Sequence, residues 1–204
     1  MKTLFIPAKS KIDISIVLKK VKIKGKLGLI TTAQFLQQLP KAKKVLKNSI
    51  IAGQILGCNV SAAEKIKNKV NAFLYIGSGK FHPIQAAIKT NKPVYIANPN
   101  TNEFSKISKE EIERKKREQK GKLLRFLSSE KLGILVSTKP GQNNLKKALF
   151  LQKKLKKESF IFMFNTLNIE ELENFRDIDC WINTACPRIE GKKIINMDVV
   201  PNFK

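Results

Sequence analysis

Three cysteines carry most of the chemical potential of this 204-residue chain: Cys58, Cys180 and Cys186. Cys186 follows an apolar, strand-like run, and Pro187 behind it lacks an N–H and so stops further ladder pairing. The fixed charge of Arg188 comes next. A thiol at a strand tip beside such a cation suits a thiolate ligand or an anion site better than a core position.

The other two cysteines lie in different sequence contexts. Cys58 ends a loop over residues 53–58, and the following helical pattern predicts Ser61 as the N-cap, with Glu64 completing a capping box. A thiol just before a helix N-terminus favours the thiolate form. Cys180 lies inside the strand-like run, where a cysteine usually behaves as a small buried apolar residue. These contexts make Cys58 and Cys186 candidates for thiolate chemistry and favour a core position for Cys180.

The spacing of these residues limits which metal they could hold. Zinc needs four closely placed Cys or His ligands, and the chain has one histidine, His82, which precedes a proline and is interpreted as structural. Three widely spaced cysteines also make no even disulfide framework. An iron–sulfur cluster accepts thiolates scattered through a fold. From spacing alone, an iron–sulfur site is possible but not established, since this chain offers only two candidate ligands, Cys58 and Cys186.

The elements that must position these thiols alternate between strand and helix. The pattern predicts an α/β fold with two similar parallel-sheet domains. An apolar run at residues 3–7 is expected to begin the chain inside a sheet. Pro40 is expected to interrupt the helical pattern at 33–47. Buried strands are predicted at residues 27–32, 50–52, 71–76, 93–97, 133–137, 160–164 and 178–185.

A charged segment separates the two predicted domains. Residues 107–128 mix acidic with basic side chains, which favours a solvated connecting helix over an RNA-binding arm. The predicted organisation is a domain at 1–104 carrying Cys58, a connecting helix at 105–130, and a domain at 131–204 carrying Cys186.

Four loops fall at the carboxyl ends of predicted strands, where parallel sheets bind ligands. They span residues 53–58, 77–83, 138–142 and 185–188. Their glycines allow close backbone approach, and their N–H groups can hold an anionic group. None of the loops matches a dinucleotide fingerprint or a Walker loop.

The charge balance is strongly basic, with 40 Lys+Arg against 16 Asp+Glu and a net charge of +24. Nearly all of the excess is lysine, whereas base reading and stacking favour arginine. Specific nucleic-acid recognition is therefore not expected, although a basic RNA- or ribosome-binding module stays an alternative. No secretory or membrane-spanning run is present in the sequence, so we expect a cytoplasmic protein and no membrane partner.

Four motifs, GQILGC at 53–58, YIGSGKFHP at 75–83, STKPGQ at 137–142 and NTACPRI at 183–189, together carry a family resemblance. In this order they resemble the archaeal and eukaryotic diphthamide synthases, the 2-(3-amino-3-carboxypropyl)histidine synthases. The resemblance implies the middle and C-terminal domains of a three-domain family, without its N-terminal domain.

The resemblance also implies a non-standard radical enzyme that uses S-adenosylmethionine. In this family a [4Fe–4S] cluster is held by three cysteines, one from each domain, and the 3-amino-3-carboxypropyl group is transferred to a histidine of translation elongation factor 2. Carried over, Cys58 and Cys186 match the ligands of the middle and last domains, while Cys180 falls outside the motifs.

From position in the motifs, the carboxylate of the cofactor would meet the cations Lys139 and Arg188 and the backbone around Gly141. The full set of expected cofactor-binding residues is Gln54, Gly77, Gly79, Thr138, Lys139, Gly141, Gln142 and Arg188.

The chain departs from the family in lacking the first domain's cysteine. We expect a separate polypeptide to supply it, so that this chain is one part of a split enzyme; a homo-oligomer is the other arrangement considered. A relative without a cluster and a non-catalytic partner subunit remain alternatives. Cys180 as a replacement ligand is disfavoured, because a side chain in mid-strand points away from the loops at the strand tips.

Overall fold

The computed structural model describes residues 3–201, and the chain divides into two compact units, Met1–Arg114 and Lys115–Lys204. Each unit contains its own sheet with helices around it, as the alternating pattern predicts. No helix within residues 3–201 is both long enough and apolar enough to cross a membrane.

The first unit is built on a five-stranded sheet in the order β2-β1-β3-β4-β5. Its pairs are parallel except β4 with β5, which is antiparallel. In chain order the elements are α1 (Ser15–Leu18), β1 (Leu27–Thr31), a 3-10 helix (Ala33–Gln38), α2 (Leu39–Val45), β2 (Ser49–Gln54), α3 (Ser61–Glu64), a 3-10 helix (Lys67–Lys69), β3 (Ala72–Ile76), α4 (Phe81–Thr90), β4 (Val94–Asn98) and β5 (Glu103–Lys106).

The second unit has a four-stranded, all-parallel sheet in the order β7-β6-β8-β9. Helix α5 (Lys109–Ser128) contains the division between the units. The remaining elements are β6 (Lys131–Ser137), α6 (Leu145–Lys154), β7 (Glu158–Phe164), a 3-10 helix (Glu170–Asn174), β8 (Cys180–Asn183), β9 (Ile194–Asn196) and a 3-10 helix (Met197–Val199).

Central strands are buried on both faces, which explains their continuous apolar runs. In β3, Leu74 packs into one cluster of the first unit while Phe73 and Tyr75 pack into the other. In β8, Ile182 and Trp181 divide between the two clusters of the second unit in the same way. The parallel α/β prediction is therefore confirmed, and with it the placing of the strand ends along one edge of each sheet.

Two expectations about the first unit have different outcomes. Residues 3–7 form no strand, and Leu4 and Ile6 are 83% and 81% exposed, so the prediction that the chain opens inside a sheet is wrong. The interruption at Pro40 is confirmed, because a 3-10 helix ends at Gln38 and α2 begins with proline in its first turn, where a missing N–H is tolerated.

Candidate functional site

The loop that carries Cys58 is a tight turn beyond β2. Leu56 and Asn59 exchange backbone hydrogen bonds of 2.8 and 3.0 Å across it, so Cys58 lies at the tip and is exposed. Gln54, expected in this loop, is instead the exposed last residue of β2. The loop is therefore shorter than predicted and is pinned at both ends.

This turn packs against the loop after β3. A Cβ atom added to Gly57 would lie 2.0 Å from Cε1 of Phe81, the first residue of α4. Only a residue without a side chain fits this contact. The loops at 53–58 and 77–83, predicted to lie at one edge of the sheet, thus meet in the first unit.

The capping arrangement after Cys58 differs from the prediction. Asn59, not Ser61, caps the chain: its Oδ1 accepts the N–H of Ser61 at 3.1 Å, and no side chain of Ser61 or Glu64 forms the predicted box. Helix α3 has only four residues, so its dipole is small. The predicted capping box is therefore wrong, whereas the effect of the short helix α3 on the Cys58 thiol stays a prediction.

Tyr75 lies beneath the Gly77–Gly79 turn. Its side chain is buried, its hydroxyl donates to the carbonyl of Ser78 at 3.4 Å, and burial raises the pKa of Tyr75. Gly77 is buried against Tyr75: a Cβ atom added to Gly77 would lie 2.8 Å from the Tyr75 hydroxyl oxygen. Gly79 is exposed. His82 packs its ring against Phe81 with centroids 5.3 Å apart, which agrees with a structural role.

In the second unit, the loop after β6 has a backbone fixed by local bonds. Thr138 donates both its N–H and its hydroxyl to the carbonyl of Phe164, at 2.8 and 3.2 Å. The N–H of Gln142 reaches the carbonyl of Lys139 at 3.1 Å, and Gly141 takes the left-handed φ of 78° that the turn needs. The side chains of Thr138 and Lys139 are exposed, so they are available to a ligand.

A half-buried asparagine, Asn144, joins this loop to the one that carries Cys186. Nδ2 of Asn144 donates to the carbonyl of Thr184 at 2.7 Å and to that of Gln142 at 3.4 Å. The loops at 138–142 and 185–188 therefore lie side by side at the carboxyl edge of the second sheet. Cys186 is half-buried there, and Arg188 is exposed.

Sequence reasoning missed Asn183, the last residue of β8. It is 2% exposed, and its side chain bonds to the backbone of Ala185 and Cys186. The signal was present in the sequence: a single amide ends a strand whose preceding residues are Trp181 and Ile182. A buried amide must be hydrogen-bonded, so its position indicates a fixed turn.

Cys180 is buried in β8 with 1% exposure, which confirms its interpretation as a core residue. Burial raises the pKa of its thiol to about 11. A group held in the thiol form is a poor ligand for iron.

Within residues 3–201, no group of three His, Cys, Asp or Glu side chains lies close enough together to hold a metal ion. The chain by itself thus does not present a complete three-ligand site in this part. The convergence of Cys58 and Cys186 on one cluster stays a prediction.

Comparison with known proteins identifies the family to which these loops belong. A family model described as "Putative diphthamide synthesis protein" matches residues 1–193. The chain belongs to this family.

Two archaeal relatives in the family are named 2-(3-amino-3-carboxypropyl)histidine synthase. The one from Pyrococcus horikoshii is 35% identical over 208 residues, covering 92% of this chain and 59% of that protein. The one from Methanocaldococcus jannaschii is 37% identical over 205 residues, covering 93% and 56%. The chain therefore spans less than two thirds of the length of these relatives.

A solved structure in the family has the same architecture. The crystal structure of Dph2 from Pyrococcus horikoshii with a 4Fe-4S cluster superposes with a TM-score of 0.78 at 31% identity, over 92% of this chain and 60% of that one. The donor chemistry here fits such a group, because Cys58 and Cys186 lie on loops at strand tips and neither is sealed in a core.

Proposed function

We propose that this chain is part of a 3-amino-3-carboxypropyl transferase that modifies a histidine of translation elongation factor 2, the first step of diphthamide synthesis. The observation that supports it is the pairing of loops: in each unit the cysteine-bearing loop lies against a glycine-containing loop at the carboxyl edge of a parallel sheet. The reaction class in the proposal is that in the names of the two archaeal relatives.

In this proposal Cys58 and Cys186 are two thiolate ligands of a [4Fe–4S] cluster. When bound, the cluster would supply the electron that cleaves the sulfonium of S-adenosylmethionine. A third thiolate comes from outside residues 1–204, either from another polypeptide or from a second copy of the chain. Cys180 is excluded because its thiol is buried and stays protonated.

The chain's own residues would bind and orient the methionine end of the cofactor. Lys139 and Arg188, both exposed on the two joined loops, provide cations for its carboxylate. The other expected cofactor-binding residues would contribute polar side chains or backbone N–H groups that a ligand can approach closely. They are Gln54, Gly77, Gly79, Thr138, Gly141 and Gln142.

The acceptor histidine belongs to the protein substrate, so no residue of this chain needs to act as a nucleophile. The proposal places the reaction in the cytoplasm, where translation elongation factors act. No membrane and no specific nucleic acid take part in the proposal.

A second candidate is a non-catalytic partner subunit of the same enzyme. It is compatible with the name of a 27% identical protein of Nematostella vectensis, "2-(3-amino-3-carboxypropyl)histidine synthase subunit 1", which indicates an enzyme of more than one subunit without assigning the catalytic role to either. In such an assembly the cluster that does the chemistry could be held mainly by another chain.

Anaerobic reconstitution with iron and sulfide tests the proposal. The chain is used alone and together with a polypeptide that covers the remaining length of the archaeal relatives. We expect cluster absorbance near about 400 nm in the combined preparation. Cys58→Ser and Cys186→Ser should each lower bound iron, whereas Cys180→Ser should not. Wild-type preparations without any cluster contradict the catalytic proposal; full activity with both Ser variants favours the partner-subunit candidate.

A further inference from the structure

Two amide side chains hold the backbone on both sides of Cys186. Nδ2 of Asn183 donates to the carbonyl of Cys186 at 2.8 Å, and its Oδ1 accepts the N–H of Ala185 at 2.9 Å. Nδ2 of Asn196 donates to the carbonyl of Pro187 at 3.2 Å. Three consecutive residues, Ala185 to Pro187, are thereby bonded to just two side chains.

The two amides also hold each other. Asn183 ends β8 and is the register partner of Asn196, which ends β9, and Nδ2 of Asn183 donates to Oδ1 of Asn196 at 2.8 Å. Parallel strand pairing therefore sets the distance between the two amides without any contribution from the loop. The N–H of Ile189 adds a further bond to the carbonyl of Cys186, at 3.0 Å, and closes the turn.

Side-chain chemistry at position 183 is narrowly determined by this arrangement. The position must accept one bond and donate two from a short side chain that is 2% exposed. Aspartate would keep the acceptor and lose both donors. An apolar residue would remove the partner of the Ala185 N–H and the donor to Oδ1 of Asn196, and would leave the carbonyl of Cys186 with only the N–H of Ile189. Stability of the sheet alone does not call for an amide here, since the preceding strand residues are apolar.

We propose that Asn183 and Asn196 are positioning residues that fix the direction of the Cys186 sulfur for cluster binding. The inference rests on the proposed function, because it takes Cys186 as a ligand. Residues that orient a metal ligand typically contribute a factor of about 10 to 100 in metal affinity. The two asparagines would do so without contacting the cluster themselves.

The test uses the full chain with the polypeptide that supplies the third thiolate, loaded with iron and sulfide. Asn183→Asp and the milder Asn196→Ala are compared with Thr184→Val. This control removes the bond of 2.8 Å from the Thr184 hydroxyl to the carbonyl of Leu135, at an equally buried neighbouring site whose side chain bonds to strand β6 and not to the backbone of residues 185–187. Readouts are iron retained against a chelator, thermal unfolding, and amide hydrogen exchange of residues 185–189 in the cluster-free protein.

We expect both asparagine variants to lose iron at about 10-fold lower chelator concentration than wild type and to exchange faster at 185–189. Thr184→Val should unfold at lower temperature yet keep its iron. If both asparagine variants retain iron like wild type, the inference is overturned and the proposed function stands. If Thr184→Val loses iron in proportion to its stability, the asparagines act only structurally. A wild-type protein that takes up no cluster overturns the proposed function itself.

Discussion

The surroundings of the three thiols differ enough to separate them by reactivity. Cys58 is exposed and Cys186 half-buried, while Cys180 is buried with a pKa raised to about 11. We expect iodoacetamide at about pH 8 to modify the first two in the native protein and Cys180 only after unfolding. Mass spectrometry of peptides checks this. Rapid native modification of Cys180 would contradict its assignment to the core and reopen it as a ligand.

The same buried thiol makes stability depend on pH. The unfolded thiol titrates near its ordinary pKa of 9.0, and the folded one near about 11, so the folded state binds more protons between these values. The free energy of unfolding therefore falls as pH rises from 9 to 11, by about 2 kcal/mol at most.

Comparison with Cys180→Ala isolates this contribution from the titration of lysines. At neutral pH the variant should be about 1 kcal/mol less stable, because it loses a buried atom. Denaturant unfolding at increasing pH should show this difference shrinking above pH 9 and reversing before pH 11, because the pH-dependent loss of about 2 kcal/mol exceeds the initial advantage of about 1 kcal/mol. A difference that stays constant to pH 11 would mean that Cys180 titrates normally.

Capping residues show what sequence can and cannot predict at the residue scale. Ser61 and Glu64 have the same Ser-x-x-Glu spacing as Ser108 and Glu111. Only the second pair forms a reciprocal box, with bonds of 3.0 and 3.1 Å, ahead of the twenty-residue helix α5. At the first site Asn59 reaches the N–H of Ser61 instead, because a tight turn comes immediately before a four-residue helix. Local spacing alone does not distinguish these outcomes.

At the scale of elements, the C-terminus of α5 ends on a single ammonium group. Nζ of Lys157 donates to the carbonyls of Phe126, Leu127 and Ser129, at 3.0, 2.7 and 2.5 Å. The carbonyls of Phe126 and Leu127 belong to the last turn of α5, where they have no partner inside the helix, and Ser129 follows the helix directly. Lys157→Met keeps the aliphatic stem and should cost about 1 to 3 kcal/mol, whereas the exposed neighbour variant Lys156→Met should be almost neutral. Chemical denaturation measures both; equal effects would rule out the cap.

The contact between the turn at Gly57 and α4 gives a second prediction at this scale. Gly57→Ala places a methyl group where it overlaps the ring of Phe81, and it should lower the free energy of unfolding by about 1 to 3 kcal/mol. Phe81→Ala added to that variant should restore part of the loss, since it removes the opposing ring. Gly121→Ala is the matched control. A Cβ atom added at Gly121, in the middle of α5, would have nothing within 4 Å, so this variant should raise the free energy of unfolding by about 0.5 to 1 kcal/mol. No recovery in the double variant would contradict the packing argument.

Elements were predictable in proportion to their length and burial. Strands β1 and β3 are buried on both faces, and their apolar runs identify them directly. The sequence does not predict strands β5 and β9. Strand β5 has four mostly polar residues and β9 has three residues, and runs this short show no alternation of apolar and polar side chains. Residues 3–7 show the opposite error, since an apolar run predicts a strand but cannot specify a neighbour to pair with. The loops were found for a physical reason: parallel strands place their carboxyl ends together.

At the scale of the whole molecule, a net charge of +24 opposes compactness through self-repulsion. Salt should relieve it, because the Debye length falls from about 30 Å at 0.01 M to about 8 Å at 0.15 M. Lys147→Glu and Lys153→Glu each lower the net charge by two units, at the first and last turns of α6. Both variants should gain stability at low salt, and the gain should shrink as salt rises.

The difference between these two variants separates net charge from local helix effects. Lys147→Glu also places an acid near the positive end of the α6 dipole, whereas Lys153→Glu places one near the negative end, so Lys147→Glu should be more stable by about 0.3 to 1 kcal/mol at low ionic strength. Thermal unfolding across the salt series measures both the stabilisation from lower net charge and the difference due to the helix dipole. If neither variant is stabilised at low salt, self-repulsion among the excess lysines contributes little to the stability of this fold, because the charges are far enough apart to be screened.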